Sequence, residues 1–280
     1  MTPRTLHEAA LRWHAAARPA IVVEVLAARG SVPRDAGTKM LVAVDEVRGT
    51  VGGGHLELQA IGTARRLLNQ GGAPKDQAVA LGPSLGQCCG GALTLRFTEL
   101  AACDPHRWPL PPALFDLQLY GAGHVGRAIV TLLSGIDCTV RWIDEREDEF
   151  PSAPLPAHIE PVCTQPVRAE VAQAAADSFY LVLTHSHDLD LAISHAILAR
   201  GDFGYFGLIG SATKRARFEH RLAERGIPPA TLQRMVCPIG LPGLHGKEPE
   251  VIAVAVVAQL LQRSGGTRAD AGAAPQIELG

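Results

Sequence analysis

The sequence lacks any apolar run long enough to cross a bilayer. Its N-terminus, Met1-Thr2-Pro3-Arg4-Thr5-Leu6-His7-Glu8, carries no secretory core after its basic residue. A cytoplasmic protein is expected by default, without contact to a membrane. Excess charge of either sign is also missing. With 26 Lys and Arg against 28 Asp and Glu, the net charge is -2. That balance excludes the broad basic field by which nucleic-acid binders hold phosphate backbones. Cysteine is scarce, at 6 in 280 residues. That is too few for a disulfide scaffold, and without a C-x-x-C pair a structural zinc site is not expected. No internal repeat is present.

What is present is a glycine turn. Leu117-Gln118-Leu119-Tyr120 is a short apolar run that ends in Gly121-Ala122-Gly123-His124-Val125-Gly126. Ala128, Ile129, Leu132 and Leu133 follow at helical spacing. In a dinucleotide-binding fold Gly121 permits the tight turn, Gly123 lets backbone approach a pyrophosphate, and Gly126 lets helix and strand pack closely. The helix N-terminus then offers N–H groups to an anion. Cys138 to Ile143 reads as the next parallel strand. Asp144 at its end is placed to accept ribose hydroxyls, with Arg146 beside it. The fold class is therefore α/β, a Rossmann-like parallel sheet domain in the C-terminal part with a smaller N-terminal α+β domain. The prolines at 105, 109, 111 and 112 mark the boundary. The expected division is 1–100, a linker at 101–115, the Rossmann-like domain at 116–263, and a mobile Gly- and Ala-rich tail at 264–280.

In the N-terminal part, Leu6, Ala9, Ala10, Trp13 and Ala17 predict a helix that Pro19 ends. Ala20 to Leu26, Met40 to Val44, Asp76 to Gly82 and Ala92 to Phe97 predict strands. Gly52-Gly53-Gly54 opens a helix marked by Leu56, Ile61, Ala64 and Leu68. This is either a turn needing positive φ or an anion cradle, which the loop carrying Ser31, Arg34 and Lys39 would help to close. Gly86-Gln87-Cys88-Cys89-Gly90-Gly91 sets two thiols side by side. In an extended segment they point to opposite faces, so one of them would face a cavity, where a thiolate suits a soft metal or sulfur chemistry.

In the C-terminal part, Val167 to Ala176 predicts a helix. The strand Ser178 to Leu183 runs into Thr184-His185-Ser186-His187-Asp188-Leu189-Asp190, at the strand end where open parallel sheets bind ligands. His185 and His187 with Asp188 or Asp190 are either metal ligands or hydrogen-bonding groups, with Asp188 capping a helix over Leu189 to Arg200. After the strand Gly204 to Ile209, Ser211 reads as an N-cap. Lys214, Arg215 and Arg217 then oppose the helix dipole, a conflict that a bound phosphate would explain. The last helix is predicted over Val251 to Leu261, after the glycine loop from Pro238 to Glu250.

Taken in order, these stretches resemble the XdhC/CoxI family of xanthine dehydrogenase accessory proteins. The matching residues are Gly30-Ser31-Val32-Pro33-Arg34, Gly52-Gly53-Gly54-His55-Leu56-Glu57, Gly86-Gln87-Cys88-Cys89-Gly90-Gly91 and the Gly121–Gly126 turn. Asp144-Glu145-Arg146, Gly207-Leu208-Ile209-Gly210-Ser211 with Lys214, and Pro238-Ile239-Gly240-Leu241 complete the set. Two stretches depart from the family pattern. Ser186 stands where an Asp is usual, and the loop from Gly240 to Glu250 differs in composition and length. The resemblance implies a protein that binds the molybdenum cofactor (molybdopterin), supports its sulfuration with a cysteine desulfurase, and hands it to xanthine dehydrogenase. It also implies a homodimer. On that reading Arg34, Gly52, Gly53, Gly54, His55, Glu57, Gln87, Cys88 and Cys89 face the cofactor, the two cysteines beside molybdenum. Gly121, Gly123, His124, Gly126, Asp144, Arg146, His185, His187, Ser211 and Lys214 line a second ligand region. The rival enzyme reading is an NAD(P)-dependent oxidoreductase drawn from the glycine turn and Asp144. A scaffold that only docks partners is the third.

Overall fold

The computed structural model describes residues 1–70, 75–81 and 91–269. Gln87, Cys88 and Cys89 lie outside the described residues. The chain forms two units, Met1–Pro111 and Pro112–Gly280.

The first unit is an antiparallel sheet with a helix on each face. Helix α1 (Pro3–Ala15) begins at Thr2, whose hydroxyl accepts from Thr5 N, and has proline in its first turn. Strand β1 (Ile21–Arg29) pairs antiparallel with β2 (Lys39–Val42), and β2 with β3 (Val47–Gly49). Helix α2 (Gly54–Gln70) leads to β4 (Lys75–Ala80) and β5 (Ala92–Glu99), giving the sheet order β3-β2-β1-β5-β4. β1 is mostly apolar, broken by Glu24, because both of its faces are covered. Ala20 and Val22 pack with Leu6, Ala10 and Trp13 of α1, whereas Ile21, Val23 and Val25 pack with Leu56, Ala60 and Ala64 of α2. The short β3 was not expected, since Val47-Arg48-Gly49 carries almost no pattern. The proline-rich stretch admits two 3-10 turns, Leu100–Ala102 and Pro105–Arg107, the second with proline at its start.

The second unit is a parallel six-stranded sheet. Its elements are β6 (Asp116–Tyr120), α3 (His124–Leu133), β7 (Thr139–Asp144), β8 (Ile159–Cys163), β9 (Phe179–Val182), α4 (His187–Arg200), β10 (Tyr205–Leu208), α5 (Ala212–Ala223), α6 (Pro229–Leu232), β11 (Met235–Val236) and α7 (Pro249–Ala269). The strand order is β11-β10-β9-β6-β7-β8. The chain winds outward from β6 to β8, then returns to the other side of β6. The strand order therefore reverses between β6 and β9, where doubly wound sheets hold ligands. One face buries Leu117, Leu119, Trp142 and Leu181 against α3 and α7, through Ile129, Leu133, Ala253, Val256 and Leu260. The other buries Tyr120, Ile143, Val182 and Phe206 against α4 and α5, through Ile193, Ile197, Phe218 and Leu222.

Two local expectations change. The segment expected as a helix from Val167 is a 3-10 stretch, Val167–Gln173. It is hemmed in by Pro166 and by Asp177, which takes φ 60°, so little room is left for regular α-turns. Helix α7 runs past its expected end at Leu261 through Ser264 to Ala269. No described helix is long and apolar enough to cross a membrane.

Candidate functional site

The carboxyl edge of the parallel sheet is built around the glycine turn. Gly121 takes φ +119°, and a Cβ there would lie 2.3 Å from the Leu183 carbonyl oxygen. At Gly126 a Cβ would lie 2.1 Å from the carbonyl oxygen of Gly121, so α3 packs directly onto the turn. Trp142 Nε1 donates to that same oxygen at 3.0 Å. Gly123 differs: a Cβ there would meet nothing within 4 Å. It is the N-cap of α3, with no side chain capping the helix. His124, the first residue of α3, lines a cleft of ≈ 380 Å³ between α3 and α7 with Arg127, Thr131 and Glu250.

Asp144, expected as an open acceptor for ribose, is instead saturated by its own chain. Its Oδ2 accepts from Ala122 N at 2.7 Å and from Arg146 Nη2 at 3.0 Å. Its Oδ1 accepts from Arg146 N and Nε, both at 3.0 Å. The side chain is 3% exposed, and Arg146 is tied further to Glu149 at 2.9 Å. Burial alone would raise the Asp144 carboxyl. The Arg146 guanidinium and the N–H groups of Ala122 and Arg146 outweigh it and hold the group below the ordinary carboxylate value. A depressed folded-state value gives stability that is complete above the unfolded value near 4 and is lost as pH falls through the folded one. Asp144→Asn is therefore expected to flatten the acid limb of stability below about pH 4. Urea titrations of both proteins at stepped pH measure it, and parallel acid limbs would remove Asp144 as a source of the slope.

The strand ends after β9 and β10 are joined by a buried ion pair. Asp190 Oδ1 accepts from Thr184 N at 3.0 Å and Thr184 Oγ1 at 2.7 Å. Its Oδ2 accepts from Lys214 Nζ at 2.6 Å, with the two side chains 1% and 11% exposed. Lys214 Nζ also donates to Ile209 O at 2.8 Å. This arrangement corrects two expectations. Asp190 is committed to Thr184 and Lys214, and among the described residues no group of three His, Cys, Asp or Glu side chains is placed to hold a metal. Of the three cations at the start of α5, Lys214 is neutralised by Asp190 and Arg215 by Glu219 at 2.7 Å, so these two need no phosphate to balance them. Ser211 is the N-cap of α5 as expected, accepting from Lys214 N at 3.2 Å.

The cap of α4 is Ser186, which accepts from Leu189 N, and not Asp188. The helix begins two residues earlier than expected, which leaves Asp188 in its first turn, facing solvent and Arg221. Serine caps as well as aspartate does, so the departure at position 186 preserves this role. His185 lies with Nε2 at 3.6 Å from Glu145 Oε1 and is 43% exposed, and His187 is the first residue of α4. Gly121, Gly123, Gly126, Asp144, Arg146, His185, His187, Ser211 and Lys214 thus share one sheet edge. Gln259 was not foreseen. Buried on α7, it binds the backbone N and O of Gly240 at 3.0 and 3.2 Å and accepts from Tyr205 OH at 2.7 Å. The trace in the sequence is an amide flanked by apolar residues, Ala258 and Leu260, in the last helix.

In the first unit Gly52, Gly53 and Gly54, which open α2, take φ of +142°, +76° and +58°. The turn closes on its own acid: Glu57 Oε2 accepts from Gly53 N at 3.3 Å and from the Thr50 hydroxyl. That reach-back satisfies an early helix N–H in the manner of a capping box. The turn also meets the neighbouring loop, because a Cβ at Gly52 would lie 2.5 Å from Pro33 Cγ. Arg34, next along that loop, is exposed and has no ion-pair or hydrogen-bond partner among the described residues. It lines a pocket of ≈ 520 Å³ with Lys39, Thr50 and Trp108. Lys39 is neutralised by Glu24 at 2.8 Å. His55 is exposed beside Gln59.

A family model described as the XdhC Rossmann domain matches residues 117–260, and one described as the XdhC and CoxI family matches residues 13–77. An uncharacterized protein of Escherichia coli, YqeB, is 29% identical over 259 residues, covering 87% of this chain and 43% of its own length. The chain thus spans less than half of that relative. A crystal structure described as a xanthine dehydrogenase from Bacillus halodurans superposes with a TM-score of 0.70 at 20% identity, covering 95% of this chain and 96% of that one. At that identity the likeness establishes a shared fold.

Proposed function

This chain belongs to the XdhC and CoxI family, and on that premise we propose that it serves a xanthine dehydrogenase as an accessory protein. In this reading it binds the molybdenum cofactor, supports its sulfuration with a cysteine desulfurase, and delivers it to the apo-enzyme. The observation that favours this over a nicotinamide-dependent oxidoreductase is the state of Asp144. An oxidoreductase of that kind needs this carboxylate for ribose, and here Arg146 and the Ala122 N–H occupy it.

The donors in the first unit fit an anionic pterin. Arg34 presents a guanidinium without a partner among the described residues at a pocket of ≈ 520 Å³, a size in the usual range for small-ligand sites. The cofactor, when bound, supplies a phosphate and a soft metal–dithiolene group. Arg34 would bind the phosphate, and Cys88 and Cys89 would lie toward the metal. The backbone of Gly53 contributes less than its sequence suggests, because Glu57 already holds its N–H.

The test is retention of molybdenum by the purified full chain after gel filtration with released cofactor. Wild type is expected to retain it, and Arg34→Ala to lose about tenfold in affinity, the worth of one charge-assisted contact. Equal retention by a Cys88→Ser, Cys89→Ser double variant would remove the thiols from this account. Saturable NAD(P)H binding with turnover, in the absence of molybdenum retention, would replace it with the oxidoreductase reading.

A further inference from the structure

The second unit holds a set of buried polar atoms that the proposed function does not use. Gln118 Oε1, Tyr120 OH, Ser178 Oγ and Tyr180 OH are each sealed from solvent and have no hydrogen-bond partner within the described residues. Their residues are 5%, 0%, 1% and 1% exposed. Such atoms are rare in folded proteins, and each costs free energy unless something satisfies it.

They are also not scattered. Gln118 pairs in register with Tyr180 across β6 and β9, and with Arg141 across β6 and β7. Strand alternation puts Tyr120 on the face of Gln118, and Ser178 immediately precedes β9. Gln118, Tyr120 and Tyr180 therefore share one face, the one that packs against Val167–Gln173 and α4, with Ser178 next to it in the chain. That 3-10 stretch is tied over them by two cations. Arg141 Nη2 binds Glu170 at 2.9 Å, and Arg200 Nη1 donates to Val171 O. Burial pushes both phenols up from their ordinary value.

We propose that this face holds a cluster of ordered water molecules beneath Val167–Gln173, bound by Tyr120, Tyr180, Gln118 and Ser178. The donor and acceptor pattern selects this ligand. Three hydroxyls that both give and accept, together with one amide oxygen that only accepts, match a neutral molecule with two donors and two acceptors. An anion would face the amide oxygen and Glu170. A cation would face Arg141 and Arg200. Folded proteins carry about one buried water per 27 residues, each usually with about three polar partners. The four atoms here supply that number.

A crystal structure of the full chain, at a resolution that orders solvent, tests this directly. Solvent peaks within about 2.7–3.2 Å of both phenol oxygens are expected. Phenols bonded to protein groups, or a dry layer, would overturn the proposal. Tyr120→Phe and Tyr180→Phe provide a solution test. If water bridges the hydroxyls, each variant lowers the folding equilibrium constant about five- to tenfold in urea titrations, because each strands a buried water and its other partners. If the hydroxyls are dry, removing one leaves stability unchanged or raises it, and the proposal fails.

Discussion

Lys214→Met is expected to destabilise the chain by about 3–5 kcal/mol, the cost of leaving one partner of a buried ion pair uncompensated. Asp190 is the reason. Its side chain is 1% exposed, and its Oδ2 has Lys214 as its charged partner at 2.6 Å. Without that ammonium, a buried carboxylate remains with the Thr184 N–H and hydroxyl as its hydrogen-bond donors. The same lysine also holds Ile209 O, so the ends of β9 and β10 lose a shared clamp. Asp190→Asn in the same background should recover much of the loss, since the amide oxygen still accepts from Thr184 and no charge is stranded. Urea unfolding of the wild type, both singles and the double variant gives the cycle. A single variant within 1 kcal/mol of wild type, or a double no better than Lys214→Met, would mean that solvent reaches Asp190.

Gly126→Ala should be comparably severe, at about 3 kcal/mol or more, or should prevent folding. On propensity alone, alanine within a helix is worth up to about 1 kcal/mol over glycine. Here the new methyl would sit 2.1 Å from the Gly121 carbonyl oxygen. That oxygen is backbone, already holds Trp142 Nε1, and cannot give way without moving the turn. Gly123→Ala is the internal control. Its φ is −68° and its Cβ direction is open, so the cost should stay near or below about 1 kcal/mol, that of a poorer N-cap. Thermal unfolding of the two variants side by side measures the contrast. Equal midpoints would show that α3 is not seated on the turn.

The contrast between those glycines marks how far the sequence could be read. The parallel sheet was legible because its strands are covered on both faces, so Phe179 to Val182 appears as an unbroken apolar run and Leu117 to Tyr120 as one interrupted only by Gln118. The caps at Ser211 and the turn at Gly121 were legible because each depends on a residue type at a short spacing. Partners distant in sequence were not. Nothing in the spacing tells that Asp190 waits for Lys214 across two elements, or that Gln259 holds Gly240. Asp188 looked like the cap of α4 because it is acidic and adjacent to the apolar pattern. The real start lies two residues earlier, where the local φ and ψ are extended at Ser186. The segment from Val167 carried helical spacing, but spacing does not register the confinement by Pro166 and Asp177.

The closure of the Gly121 turn by Asp144 has a consequence for whatever docks there. A carboxylate tethered to the same chain competes with any incoming phosphate at an effective concentration on the order of millimolar or higher. Negative charge alone therefore earns a visitor little at this edge, and recognition has to come from shape and from contacts the resident acid cannot imitate. Acidity shifts the contest: once the resident is protonated, its hold on Arg146 loosens, and the face of the guanidinium not bound to Glu149 is open to the newcomer.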